Sequence, residues 1–66
     1  MDAIRKKYLV KSNFLVMPEA SGAARLVKAG MALWALEPLT DPVQFEIDNA
    51  RHYVDRAVFN ANTERV

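Results

Sequence analysis

Sixty-six residues, 52% of them hydrophobic and none of them Cys, make one small domain without disulfides or thiolate metal ligands. A chain of this size buries only about 60% of the surface its unfolded form exposes, so self-association or docking on a larger partner is the expected source of extra stability. The hydrophobic content excludes a disordered chain, and the net charge of +1 divides unevenly between six basic and two acidic residues in 1–28 and three basic and six acidic in 29–66. The simple consequence is attraction between the two halves; the sharper one is a basic N-terminal arm for nucleic acid.

The first segment, residues 5–17, is rich in Tyr, Leu, Val and Phe and is expected to be extended. As one strand it would place Tyr8, Val10, Ser12, Phe14 and Val16 on one face, and Lys7, Leu9, Lys11, Asn13 and Leu15 on the other. As two short strands it would turn at Lys11-Ser12-Asn13. A third reading makes residues 2–10 helical, capped by Asp2. Arg5, Lys6 and Lys7 do not open a signal peptide, because Lys11, Ser12 and Asn13 break the apolar residues that follow. The expected location is cytoplasmic.

Residues 18–36 are expected to form a helix. Pro18 suits its first turn, and Glu19 suits the positive end of the helix dipole. Ala20, Ala23, Ala24, Val27, Gly30, Met31 and Trp34 make one stripe, which Leu26 and Leu33 widen. So wide an arc predicts contacts on two sides, with Trp34 in the core. It does not predict a membrane span: the most apolar window, 20–36, carries Arg25 and Lys28, and a span needs roughly 20 mostly apolar residues.

Residues 37–41 are a turn. Pro38 ends the first helix, Thr40 or Asp41 caps the next, and Pro42 takes its first position. Residues 42–62 then read as a second helix with Val43, Ile47, Ala50, Val54, Ala57, Val58 and Ala61 on one face. Phe45, His52 and Phe59 recur every seven residues on the opposite side. The expected fold class is mainly α with a short N-terminal β segment: a β-α-α chain whose antiparallel helical hairpin is intertwined or packed as an oligomer.

Sites for chemistry are scarce. Asp48, His52 and Asp55 stand at i, i+4 and i+7, which could present half a metal site; a solvated face in which the carboxylates pair with Arg51 is the simpler reading. Ser12 and Ser21 have no neighbouring base, and Gly22 and Gly30 are isolated. A short chain also has difficulty enclosing a ligand pocket of a few hundred Å³. No catalytic residue, metal or cofactor is therefore assigned, and neither an enzyme nor a small-molecule substrate is expected.

The function expected is protein–protein interaction: an assembly subunit or homo-oligomer, most simply a dimer, or a chain docked on a larger protein. Its interface residues would be Phe45, His52, Phe59, Leu33 and Leu26. His52 would make such a contact sensitive to pH. The alternative is DNA binding. A strand followed by two helices resembles, in element order, the ribbon-helix-helix repressors. The resemblance implies a dimer that lays a two-stranded ribbon in the major groove, with Lys7, Lys11 and Asn13 toward the bases. A peripheral membrane module using Tyr8, Leu9 and Phe14 is a fainter third reading, since its charge cluster is small.

Overall fold

The computed structural model describes residues 4–66. It is a β structure: β1 (Ile4–Val10), β2 (Phe14–Pro18), β3 (Arg25–Val27), β4 (Ala32–Glu37), β5 (Val43–Ile47), β6 (Ala50–Val54), one short helix α1 (Arg56–Asn62), and β7 (Thr63–Arg65). The strands form one sheet in the order β3-β2-β6-β5-β4-β1-β7, with every pairing antiparallel, curled into a half-barrel. The mainly helical hairpin expected from the sequence is therefore incorrect. Asp2, offered as a helix cap, lies outside the described residues, and Ile4–Val10 is a strand.

Residues 4–18 form two strands that do not pair with each other. Tyr8, Val10, Phe14 and Val16 point into the core, while Lys7, Leu9 and Leu15 face out. Between the strands the chain bends at Lys11-Ser12-Asn13, sending β1 and β2 to opposite ends of the sheet. The bend is tied down on both sides. The Lys11 N–H donates to the Asn62 carbonyl (2.7 Å), and the Asn13 side-chain oxygen accepts from the Ala29 N–H (2.8 Å). An apolar strand face needs a partner layer, and the curl supplies it by bringing two parts of one sheet to face the same core.

Residues 18–36 hold two strands where a helix was expected. Leu33 and Ala35 are buried, and Trp34 between them is half exposed, the period-two signature of a strand. Gly30, at φ +94°, sits in the left-handed region that a helix interior does not use. Its N–H donates to the Val10 carbonyl, and the Val10 N–H donates to the Met31 carbonyl, both at 2.9 Å. These non-local bonds hold the start of β4 against β1. The 3.6-residue stripe arose because apolar neighbours such as Ala23 and Ala24, or Leu33 and Trp34, let either period be drawn through the same residues. Trp34 is consequently not a core residue.

Residues 42–62 are likewise mostly a hairpin. Asp48 (φ 51°) and Asn49 (φ 64°) both adopt positive φ, as the central pair of a two-residue hairpin turn requires, and Asp and Asn are among the residues that tolerate it. Around this turn Val43 pairs with Val54, Phe45 with His52 and Ile47 with Ala50. The seven-residue step from Phe45 to His52 is thus a cross-strand pair, not two turns of helix. Among the described residues only Arg56–Asn62 is helical, and its buried residue is Phe59. The Phe59 ring meets Tyr8 edge-on at 4.9 Å between centroids and lies 5.9 Å from Phe45. The helix therefore closes over the core of the curled sheet. Its first turn is held from a distance: the Arg56 N–H donates to the Asp41 carboxylate at 3.2 Å. At its other end the Thr63 hydroxyl donates to the Phe59 carbonyl at 2.7 Å.

Candidate interaction surface

The residues proposed from sequence as an interface are mostly interior. Leu33 is 1% exposed, Phe45 2%, His52 3% and Phe59 0%. An interface of that kind needs a long helix with two apolar faces, whereas Val43–Ile47 and Ala50–Val54 are strands and α1 spans only Arg56–Asn62. The single molecule already covers both rings, Phe59 beneath β1 and Phe45 beside it. His52 stacks near Phe45, 6.3 Å between ring centroids. Its Nδ1 lies 2.8 Å from the Ala50 carbonyl, which can only accept, so Nδ1 carries the hydrogen. Leu26 is the exception, at 46% exposure on β3.

The other sequence candidates are scattered. Asp48 sits in the β5–β6 turn and pairs with Arg25 (2.6 Å), His52 is buried, and Asp55 precedes α1. Among the described residues no cluster of three or more His, Cys, Asp or Glu side chains could hold a metal. Lys7 faces out from β1 opposite Trp34, Lys11 lies in the bend, and Asn13 is occupied by the Ala29 N–H. The stretches expected to be the two helices of a ribbon-helix-helix fold are mostly strands among the described residues, so that layout for Lys7, Lys11 and Asn13 is removed. No helix among the described residues is long and apolar enough to cross a membrane.

One end of the half-barrel carries a cluster that sequence reading missed. The Tyr8 hydroxyl donates to the Glu37 carboxylate, and Arg65 Nε donates to the same oxygen at 3.0 Å, which joins β1, β4 and β7. Burial, followed by the hydrogen bond to Glu37 and the charge of that carboxylate, pushes the Tyr8 hydroxyl up to about 12; Arg65 acts in the opposite direction. Each of the three side chains is engaged with another, so this cluster is a structural clasp.

The outer face of the sheet has two zones. Over β1, β4, β5 and β6 it is mixed: Arg5, Lys7, Trp34, Glu46, Gln44 and Arg51, with Arg5 paired to Glu46 at 2.5 Å and Arg51 near Glu19 at 3.7 Å. Over β2, β3 and the end of β6 it is apolar. Leu15 stands directly across from Leu26, and Met17 directly across from Tyr53. With Ala24 and Val58, three of these side chains (Leu15, Met17 and Tyr53) line an open hollow of about 320 Å³ that has the Asp55 carboxylate at its margin. Leu15, at 60% exposure, is the most exposed of the group. Leu15, Met17, Leu26, Tyr53 and Val58 together leave on the order of 400 Å² in water, backbone and the Tyr53 hydroxyl included, within the range of the largest patch on an ordinary monomer. That is about a tenth of the molecule's 4409 Å².

Apart from Arg25, which opens β3 across from Val16 and pairs with Asp48, the β2–β3 pair is thus apolar on both faces. Phe14, Val16 and Val27 face the core, and Leu15, Met17 and Leu26 face water. An antiparallel sheet with one wet face normally alternates apolar and polar residues, as β5 does here. The available signal in the sequence was the unbroken apolar run Phe14-Leu15-Val16-Met17, which marks a strand covered on both sides. Comparison with protein-family models, curated proteins and solved structures finds no match to this chain.

Proposed function

We propose that this chain is a non-enzymatic interaction module that docks on protein through the outer face of β2, β3 and β6. The observation that carries the reading is the β2–β3 pair: its inner face is covered by the molecule's own core, and its outer face, equally apolar, is left exposed among the described residues. Water contact with Leu15 and Leu26 is costly, at about 25 cal/mol per Å² of apolar surface, and a partner would relieve it. The hollow beside them offers a recess for an apolar side chain, which is how interface anchors gain affinity.

Nucleic acid fits less well. Trp34 is half exposed beside Lys7, Arg5 and Arg51, the kind of ring on which a base could stack. However, Arg5 is engaged by Glu46 and Arg51 by Glu19, so the zone holds little of the cation excess that phosphate binding requires.

The test is site-specific photo-cross-linking in the cells that make the chain. A photoreactive side chain at position 15 is expected to give one dominant adduct, identified by mass spectrometry and lost on Leu26→Ser. The same group at position 34 should give none. Equal labelling at the two positions, or none at position 15, would remove the reading.

A further inference from the structure

We infer that the occupant of this surface is a second copy of the chain, related by a two-fold axis that passes near Leu26. This inference rests on the docking reading above and names its partner. The area is adequate. Two such patches facing each other remove up to roughly 800 Å², most of it apolar, and a polar rim brings the total to about the 1,200 Å² at which specific interfaces begin.

The shape is self-complementary. A two-fold contact sets residue i against j and j against i, so one surface must hold both a projection and its recess. Here Leu26 projects beside the hollow, and Leu15, directly across from it, lines that hollow together with Met17, Tyr53 and Val58. β3 is also the last strand at its end of the sheet and only three residues long, so nothing among the described residues covers Leu26 from that side.

The charge pattern selects the same occupant. Around the patch Arg25 pairs with Asp48 and Arg51 with Glu19, while Asp55 stands at the hollow's margin. Both signs are present in near balance. A rim of one sign would repel its own copy across the axis, whereas a balanced rim can pair with itself. Nucleic acid and anionic lipid would both demand an excess of cations that this rim lacks.

The natural chain has no Cys, so Leu26→Cys places a single thiol at the proposed axis. In a glutathione redox buffer it should form the disulfide-linked dimer at least about tenfold faster than Trp34→Cys, which lies three strands and about 14 Å away from β2 across the sheet. Sedimentation equilibrium on the intact chain should show a dimer. Leu15→Ser combined with Leu26→Ser should raise its dissociation constant by about 100-fold or more, at unchanged far-UV circular dichroism. A natural chain that stays monomeric at millimolar concentration overturns the inference, and so does a dimer that the double variant leaves intact. If the chain is monomeric but position 15 still cross-links to one identified foreign protein, self-association falls and the docking reading stands. If position 15 gives no adduct at all, both fall.

Discussion

The β5–β6 hairpin and the β2–β3 pair are built from similar residues, yet the first hides its apolar row and the second displays one. In the hairpin Val43, Phe45, Ile47 and Val54 point inward, and Gln44, Glu46 and Arg51 point out, with Tyr53 at the β2 side the one outward ring. In β2–β3, Arg25 aside, both directions are apolar. A hydrophobic residue in a strand is buried according to which face its position puts it on, and according to whether that face has a cover. Composition alone does not decide it. The single helix illustrates the same point: Phe59 is fully buried under β1, while Val58, next in sequence, is on the hollow.

The largest effect that could break this division is expected on the inner side. Phe59→Ala should cost about 3–5 kcal/mol, as removal of a fully buried ring does. That approaches the whole stability of about 3–5 kcal/mol available to so small a core, so urea titration should find the variant largely unfolded at 25 °C. Phe45→Ser with Phe59→Ser should likewise unfold the chain rather than split an oligomer. Retention of a sharp unfolding transition by either variant would contradict the core assigned to α1.

The next effect concerns the Tyr8–Glu37–Arg65 clasp. Tyr8 ionises near 10 when unfolded and only at about 12 in the folded chain, so the folded state holds this proton more tightly. The resulting stability is fully present below pH 10 and is lost as the pH climbs toward 12. Tyr8→Phe should cost about 1 kcal/mol at neutral pH by depriving Glu37 of a donor, and should flatten this alkaline decline. Thermal melts of both proteins from pH 8 to 12 would show it; parallel curves would count against the clasp.

An effect of similar size sharpens the hairpin. Asn49→Gly should leave the fold intact and stabilise it by up to about 1 kcal/mol, because Gly adopts the positive φ without steric cost. Asn49→Val should destabilise it by about 1–2 kcal/mol, since a β-branched side chain resists that conformation. If both variants melted like the natural chain, the two-residue turn would be misplaced. The smallest effect belongs to the displayed row. Leu15→Ser should shift the stability of the monomer by less than about 0.5 kcal/mol, in keeping with an exposed position. A loss comparable to that of Phe59→Ala would show that the outer face is covered within the molecule itself.

Local residue order carried part of this outcome. Residues 8–16 show the alternation that places Tyr8, Val10, Phe14 and Val16 inside, and Lys11-Ser12-Asn13 mark the bend, because a strand face and a polar break are short-range properties. The break near Pro38 and Pro42 is local too, and it falls between β4 and β5. The hairpin at Asp48-Asn49 was harder to read: it lacks Gly, and the residues beside it fit a helical stripe as well as a strand. The apolar run in β2 was visible, but its meaning depended on knowing that β2 is a strand with a second face.

By itself, then, the order of residues determined that residues 5–17 favour extended chain with a polar break at Lys11-Ser12-Asn13, and that the chain carries no disulfide; one strand, two strands and a helix over 2–10 all fitted that stretch. Tertiary structure alone decided that β1 and β2 part to opposite ends of one sheet, that Phe45 and His52 face each other across a turn, and that Phe59 closes the core. The physical reason is range. A bend or an alternating face is encoded within a few neighbouring residues, whereas strand pairing joins residues as far apart as Tyr8 and Arg65, and in a chain this rich in apolar residues many such pairings satisfy the same local pattern.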